Sequence, residues 1–211
     1  MLNAKKLTLA VLVQAALIST AVASEQSEAK GFVEDAEGSV LFRTGYLNRD
    51  KKDGLTNDTS SAAQTAIFQL DSGFTQGVVG FGIGVVGDLS FKLGENKNAG
   101  NQMIPKHDDG SAYDHWARGG ANVKARISNT TVTYGTQVSE LPVMASNTAR
   151  LVPEYYTGVF IESNEIKNLN LVAGKFTKNQ WSDDIKSDGQ NLDRAIFWGA
   201  KYKFNDQVNA S

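Results

Sequence analysis

The stretch from Phe81 to Leu93 alternates between two kinds of side chain, and this constrains the fold more than any other feature of the chain. Odd positions carry Phe81, Ile83, Val85, Gly87, Leu89, Phe91 and Leu93; even positions carry Gly82, Gly84, Val86, Asp88, Ser90 and Lys92. A period of two puts successive side chains on opposite faces of an extended strand, and an amphipathic helix cannot produce it. The same contrast recurs. Val40, Phe42 and Tyr46 alternate with Ser39, Leu41, Arg43 and Gly45; Phe68 and Leu70 with Gln69 and Asp71; Val123, Ala125 and Ile127 with Asn122, Lys124, Arg126 and Ser128. It returns in Thr131–Tyr134, Leu169–Gly174 and Ile196–Lys203. Helical periodicity is nearly absent. The reading is an all-β antiparallel protein of about eight strands, with a ninth starting near Gln207.

The connections come in two lengths. Asp71 to Gly77, Asn129-Thr130 and Ile166-Lys167-Asn168 are short; Asn48 to Ser61, Gly94 to Gly119, Ser139 to Tyr156 and Thr177 to Asp193 are long and polar. Every second connection is long, which places the long loops at one end of the sheet. A soluble sandwich has no reason for that segregation, whereas an outer-membrane barrel combines short periplasmic turns with long extracellular loops.

The amino terminus reads as an export leader. Lys5 and Lys6 precede an apolar run from Leu7 to Ile18, and Ala21-Val22-Ala23 gives a small-x-small cleavage site before Ser24. Residues 1–23 are therefore read as a signal peptide and residues 24–211 as the exported chain. There is no cysteine, which excludes disulfide scaffolds and thiol chemistry and suits an envelope protein that does not depend on disulfides. A formal net charge of −2 argues against general nucleic-acid binding. The mean hydropathy of −0.30 excludes a bundle of membrane-spanning helices, but it is also what a chain gives when one residue in two faces lipid.

Periodicity cannot say which solvent meets the apolar face. In a soluble exported sandwich or small ligand-binding barrel that face packs inward; in a membrane barrel it meets lipid. Three features favour lipid. The strands run about 9 to 12 residues, long enough to cross a bilayer at a tilt. Tyr46, Phe74, Tyr134, Phe176 and Phe204 lie near strand ends, as interfacial girdles do. The apolar face also carries glycine and alanine, which would pack a core poorly.

Several segments are more specific than this. Lys30-Gly31-Phe32-Val33-Glu34-Asp35 is followed by Leu47-Asn48-Arg49-Asp50, then by Asp71-Ser72-Gly73-Phe74-Thr75-Gln76-Gly77 and Val79-Gly80-Phe81-Gly82. Further on come Arg118-Gly119-Gly120-Ala121, the run Val123 to Asn129, Leu141-Pro142-Val143, Ala149-Arg150-Leu151 and Pro153. In order and spacing these resemble the OprD family of substrate-specific outer-membrane porins. The resemblance implies an 18-stranded, monomeric transmembrane β-barrel, of which this chain supplies the first eight or nine strands. It further implies a passive channel, without cofactor or catalytic step, for small carboxylate-bearing or zwitterionic solutes such as basic amino acids. The chain closes on Asn209-Ala210-Ser211, without the closing strand and terminal aromatic of such barrels. The expectation is therefore a truncated product or fragment that does not conduct.

The resemblance also assigns roles. The loop folded into the pore matches residues 139–156, and the family's constriction arginines match Arg49 and Arg150. The family pattern carries a further basic residue a little after Arg49, where this sequence reads Asp53-Gly54-Leu55-Thr56-Asn57-Asp58. Arginine suits the task because its forked guanidinium stays charged and binds carboxylates in pairs of hydrogen bonds. Arg43, Lys124 and Arg126 fall on the polar face as further candidates for the pore lining. Asp71 and Asp88 share that face and are candidates for holding an amino group. Other signals carry no site. His107 and His115 stand in an aspartate-rich stretch without a metal motif, and Asp183-Asp184 with Asp188 lacks calcium-loop spacing. Gly80 to Gly84 lies inside a strand, not before a helix, which excludes a nucleotide loop.

Overall fold

The computed structural model describes residues 23–54, 57–95, 99, 101–141, 143–186, 192–204 and 209–210. Residues 1–22 of the leader read at 1–23 lie outside them, as do Pro142 and the start of the ninth strand at Gln207. The described residues form strands and turns. These are β1 (Glu37–Arg49), β2 (Thr59–Asp71), β3 (Val79–Lys92), β4 (His115–Ile127), β5 (Thr130–Gln137), β6 (Glu140–Leu141), β7 (Met144–Ala145), β8 (Tyr155–Ile166), β9 (Leu169–Gln180), β10 (Ala195–Lys203) and β11 (Asn209–Ala210). Nine of them make one antiparallel sheet in the order β1-β2-β3-β4-β5-β8-β9-β10-β11, and β6 and β7 form a separate small hairpin. Each strand of the sheet pairs with the next strand of the sheet along the chain. The sheet stays open, with β1 and β11 as its edges.

The face question is decided by exposure. On β3 the apolar residues Phe81 and Leu89 are 59% and 56% exposed, while Asp88 and Ser90 of the opposite face are 0% and 3%. Phe42, Tyr134 and Trp198 are likewise outward. A soluble sandwich would bury these side chains and expose the polar ones. The reverse holds here, so the soluble alternative fails and the apolar wall is built for lipid.

The short connections gather at one rim. Ser128 and Asn129 turn β4 into β5, one residue earlier than the sequence reading, with Ser128 in the left-handed region (φ 53°). The chain before β1 runs along this rim. Gln26 Nε2 donates to the carbonyls of Thr75 (3.0 Å) and Gly77 (3.1 Å), and the Gln26 amide donates to that of Ser128 (3.1 Å). One buried glutamine thus ties two neighbouring turns together.

The long loops sit at the other rim, and they are shorter than the sequence suggests. L1 (50–58), L2 (93–114), L3 (138–154) and L4 (181–194) connect strands that run into the expected loops, at both ends of L1 and at one end of each of the others. His115 to Gly119 belong to β4, and Thr177 to Gln180 to β9. Main-chain pairing continues past the point where apolar alternation stops, so the pattern ends before the strand does. Two of the five expected girdle aromatics turn inward. Phe176 is buried against Tyr156 and Phe197, with ring centroids 5.1 and 5.0 Å away. Phe74 lies under the Arg126 guanidinium, 4.0 Å from its ring centre. Tyr46, Tyr134 and Phe204 remain exposed.

Candidate functional site

L3 folds onto the inner face of the sheet, and its own backbone shapes it. The Asn147 amide donates to Glu154 Oε2 (3.0 Å) and the Glu154 amide to the Asn147 carbonyl (3.1 Å). This pinch encloses a lobe, residues 148–153, that carries Arg150. Below it, the Ser139 amide donates to Ser146 Oγ (2.9 Å) and the Ser146 amide to the Ser139 carbonyl (2.7 Å), closing the β6–β7 hairpin.

The lobe is held by an apolar cluster. Leu151 and Val152 are buried against Ala63 of β2, Trp116 of β4, and Met103 and Ile104 of L2. L2 therefore also folds inward, which the polar composition around it conceals. Gly45 of β1 makes room for it, since a Cβ there would meet Met103 Cε at 3.1 Å and Leu151 Cδ1 at 3.2 Å. L4 joins the same assembly through Asp183, whose Oδ2 accepts from the Gln102 amide (2.8 Å), and Ser182, whose hydroxyl donates to the Gln102 carbonyl (3.3 Å).

The basic residues divide by task. Arg43, on the inner face of β1, directs Nη1 at the carbonyls of Thr148 (3.2 Å), Arg150 (2.5 Å) and Leu151 (3.3 Å). It therefore lies under the backbone of the lobe. Arg150 is half-buried, and its Nε is enclosed without a partner among the described residues. Arg49 ends β1 on the same face as Arg43, about 20 Å further along the strand, and its side chain forms no hydrogen bond or ion pair among the described residues. Lys124 pairs with Asp71, whose other oxygen accepts from Gln69 Nε2 (3.0 Å). Arg126 donates through Nε to Gln26 Oε1 (3.1 Å) and lies 3.9 Å from Glu25. The structure thus brings Arg43 to the Arg150 backbone and Asp71 to Lys124, and leaves the Arg49 side chain at the loop rim without a partner among the described residues.

Asp88 is neither solvated nor open. It pairs with Arg118 across the β3–β4 ladder at 3.0 Å, and both side chains are 0% exposed. Tyr155 Oη donates to Asp88 Oδ2 (2.9 Å) and Ser90 Oγ to Oδ1 (3.2 Å). Arg118 also donates to the carbonyls of Pro153 (2.6 Å) and Trp181. The sequence reading quoted Arg118 only as part of a motif and gave it no role; its position opposite Asp88 required the register. His107 stacks on Tyr113 with ring centres 3.6 Å apart, and His115 is an exposed residue of β4, so the two histidines share no centre.

Comparison with known proteins agrees with this architecture. Residues 30–211 match the family model described as outer membrane porin, OprD family. Porin D of Pseudomonas aeruginosa is 37% identical over 203 residues, covering 92% of this chain and 46% of that protein. The crystal structure of Acinetobacter baumannii OccAB1 superposes with a TM-score of 0.84 at 73% identity, over 88% of this chain and 45% of that one. Pseudomonas aeruginosa OpdK, solved with vanillate, gives a TM-score of 0.74 at 31% identity, over 83% and 47%. The chain spans about half the length of these relatives. With a lipid-facing antiparallel wall and a long loop folded against its polar face, the chain belongs to the OprD family of outer-membrane porins.

Proposed function

We propose that this chain forms one side of a passive, monomeric outer-membrane channel for small carboxylate-bearing solutes, basic amino acids among them. The observation that carries the reading is Arg150, presented half-buried on a lobe docked against the inner face, with its backbone held by Arg43 and its guanidinium without a partner among the described residues. In a narrow, partly dehydrated passage such a guanidinium concentrates carboxylates, while weak, successive contacts let them leave. Arg49, at the end of β1 on the loop rim, is a cation that an entering anion passes before it reaches the lobe. Lys124 and Arg126, near the opposite rim, extend the basic lining, although Asp71 already neutralises much of Lys124. OpdK with vanillate and OccK2 (OpdF) in complex with glucuronate are structures of relatives holding carboxylates, which supports that solute class. Asp88 is sealed and Asp71 is paired, so neither offers an ammonium group a free carboxylate; this wall recognises the acid end of a zwitterion. Residues 139–154 act as the constriction loop, Tyr155 and Tyr156 of the expected stretch belonging to β8, and residues 1–23 act as the leader.

Single-channel recording in a planar bilayer tests this on the closed channel that carries the sequence. Addition of a carboxylate solute is expected to interrupt the ion current, and Arg150→Ala is expected to weaken that block about tenfold, the equivalent of one charge-assisted hydrogen bond. A block that Arg150→Ala leaves unchanged sinks the mechanism.

A further inference from the structure

A channel that selects solutes by exposed charge has no direct use for a sealed ion pair. Asp88 and Arg118 are such a pair. Removing two charges from water is unfavourable unless geometry and hydrogen bonding are good, and here four of the five guanidinium N–H groups are donated. The Asp88 carboxylate accepts from Arg118 Nε (3.2 Å) and Nη2 (3.0 Å), from Tyr155 and from Ser90. The remaining guanidinium donors do not return to the wall. Of the three N–H groups left, one on Nη2 reaches the Pro153 carbonyl at the end of L3 and one on Nη1 the Trp181 carbonyl at the start of L4. Tyr155 completes the arrangement with its ring 5.1 Å from the guanidinium carbon. A single side chain on β4 therefore joins the wall to two loops that are distant in sequence. Pro153 lies three residues from Arg150, and the intervening Leu151 and Val152 are buried, so a shift at Pro153 is carried to Arg150 rather than absorbed.

We propose that Arg118 is a positioning residue of the channel: oriented by Asp88 and Tyr155, it fixes how deeply the Arg150 lobe of L3 and the base of L4 sit against the inner wall, and so sets the width of the passage. The effect on transport rests on the channel reading above; the effect on loop position does not. Lysine cannot replace arginine in this role. It keeps the charge beside Asp88, but one ammonium group cannot serve the carboxylate and two separate carbonyls with the geometry of a planar fork.

The test uses the native channel in detergent and in a planar bilayer, with Arg118→Lys and the double variant Arg118→Met/Asp88→Leu, which removes both charges together. Heat-modifiable migration on gels reports the folded barrel. Tryptic cleavage between Arg150 and Leu151, mapped by mass spectrometry, reports loop position without any solute. Open-channel current noise reports passage width. Both variants are expected to remain heat-modifiable, to be cut after Arg150 at least tenfold faster than the parent, and to show several-fold more open-channel noise. Parent-like cleavage and noise in a folded Arg118→Lys channel overturn the proposal. Loss of the folded barrel in Arg118→Lys overturns it too, because the pair then serves the wall rather than the loops. If Arg150→Ala proves irrelevant to carboxylates while Arg118→Lys still exposes the loop, the solute reading fails and the positioning role stands.

Discussion

Arg43 and Arg118 show how a side chain's type can be legible while its task is not. Both lie on the polar face, and both spend their guanidinium groups on loop carbonyls rather than on solute. Arg43→Ala leaves three lobe carbonyls without their charged donor. Hydrogen bonds to charged groups contribute roughly 1.5–3 kcal/mol, so the lobe is expected to loosen by that order, read as faster tryptic cleavage after Arg150 in a barrel that still folds. Gly119 poses a backbone problem instead. Its φ of +126° is a region L residues rarely adopt, and a Cβ would lie 2.1 Å from the Val86 carbonyl oxygen. Gly119→Ala is expected to lower stability by more than about 1 kcal/mol, measured as a fall in the temperature at which the folded gel band is lost. At the tip of L2, the Ser111 hydroxyl (2.6 Å) and amide (2.9 Å) both donate to Asp109 and hold its carboxyl below the ordinary 3.8. A depressed folded value means that this turn is fully stabilised above 3.8 and loses that contribution as pH falls through the lowered value. Carboxyl carbon-13 titration should show Asp109 below 3.8, and Ser111→Ala should return it towards 3.8.

Strand identity and facing were readable because both are local. A period of two survives any tertiary arrangement, and Phe81 to Lys92 emerged within β3 with its predicted faces, Leu93 falling in L2. Val85, in the middle of β3 on the outer face, should therefore tolerate charge badly. Val85→Lys is expected to cost about 2–4 kcal/mol if it sits near the bilayer midplane, measured by unfolding in lipid vesicles. Loop lengths were less readable, since His115 to Gly119 pair as strand without an apolar signature. The inward fold of L2 was invisible: Met103 and Ile104 are two apolar residues in a polar stretch, and only Trp116, Leu151 and Val152 from other segments give them a place to pack. Phe176 was misplaced for a similar reason. A strand-end aromatic looks like a girdle residue until its partners Tyr156 and Phe197 are known.

At the scale of the whole molecule the open sheet is the governing fact. The outer edges of β1 and β11 carry backbone groups that lipid cannot satisfy, and a spanning sheet is tolerated only when closed. Residues 24–211 on their own are therefore expected to give neither a heat-modifiable band nor discrete conductance steps in a bilayer; either result would show that the sheet closes in some other way, for instance through several copies.

The sequence by itself determined the class of fold, the two unlike faces of the wall, the rim at which the long loops gather and, through its motifs, the porin family. All of these depend on residues close in the chain or on fixed order along it. The tertiary structure alone decided the rest. Period-two alternation is the same whether the apolar side meets lipid or a core, so only the observed exposure chose between them. The fate of each charge depended on residues far away: Asp71 met Lys124, Asp88 met Arg118, and Arg43 met a loop that begins 95 residues later. Whether a buried charge is offered to a solute or used up inside the protein is a property of those meetings, and single residues do not carry it.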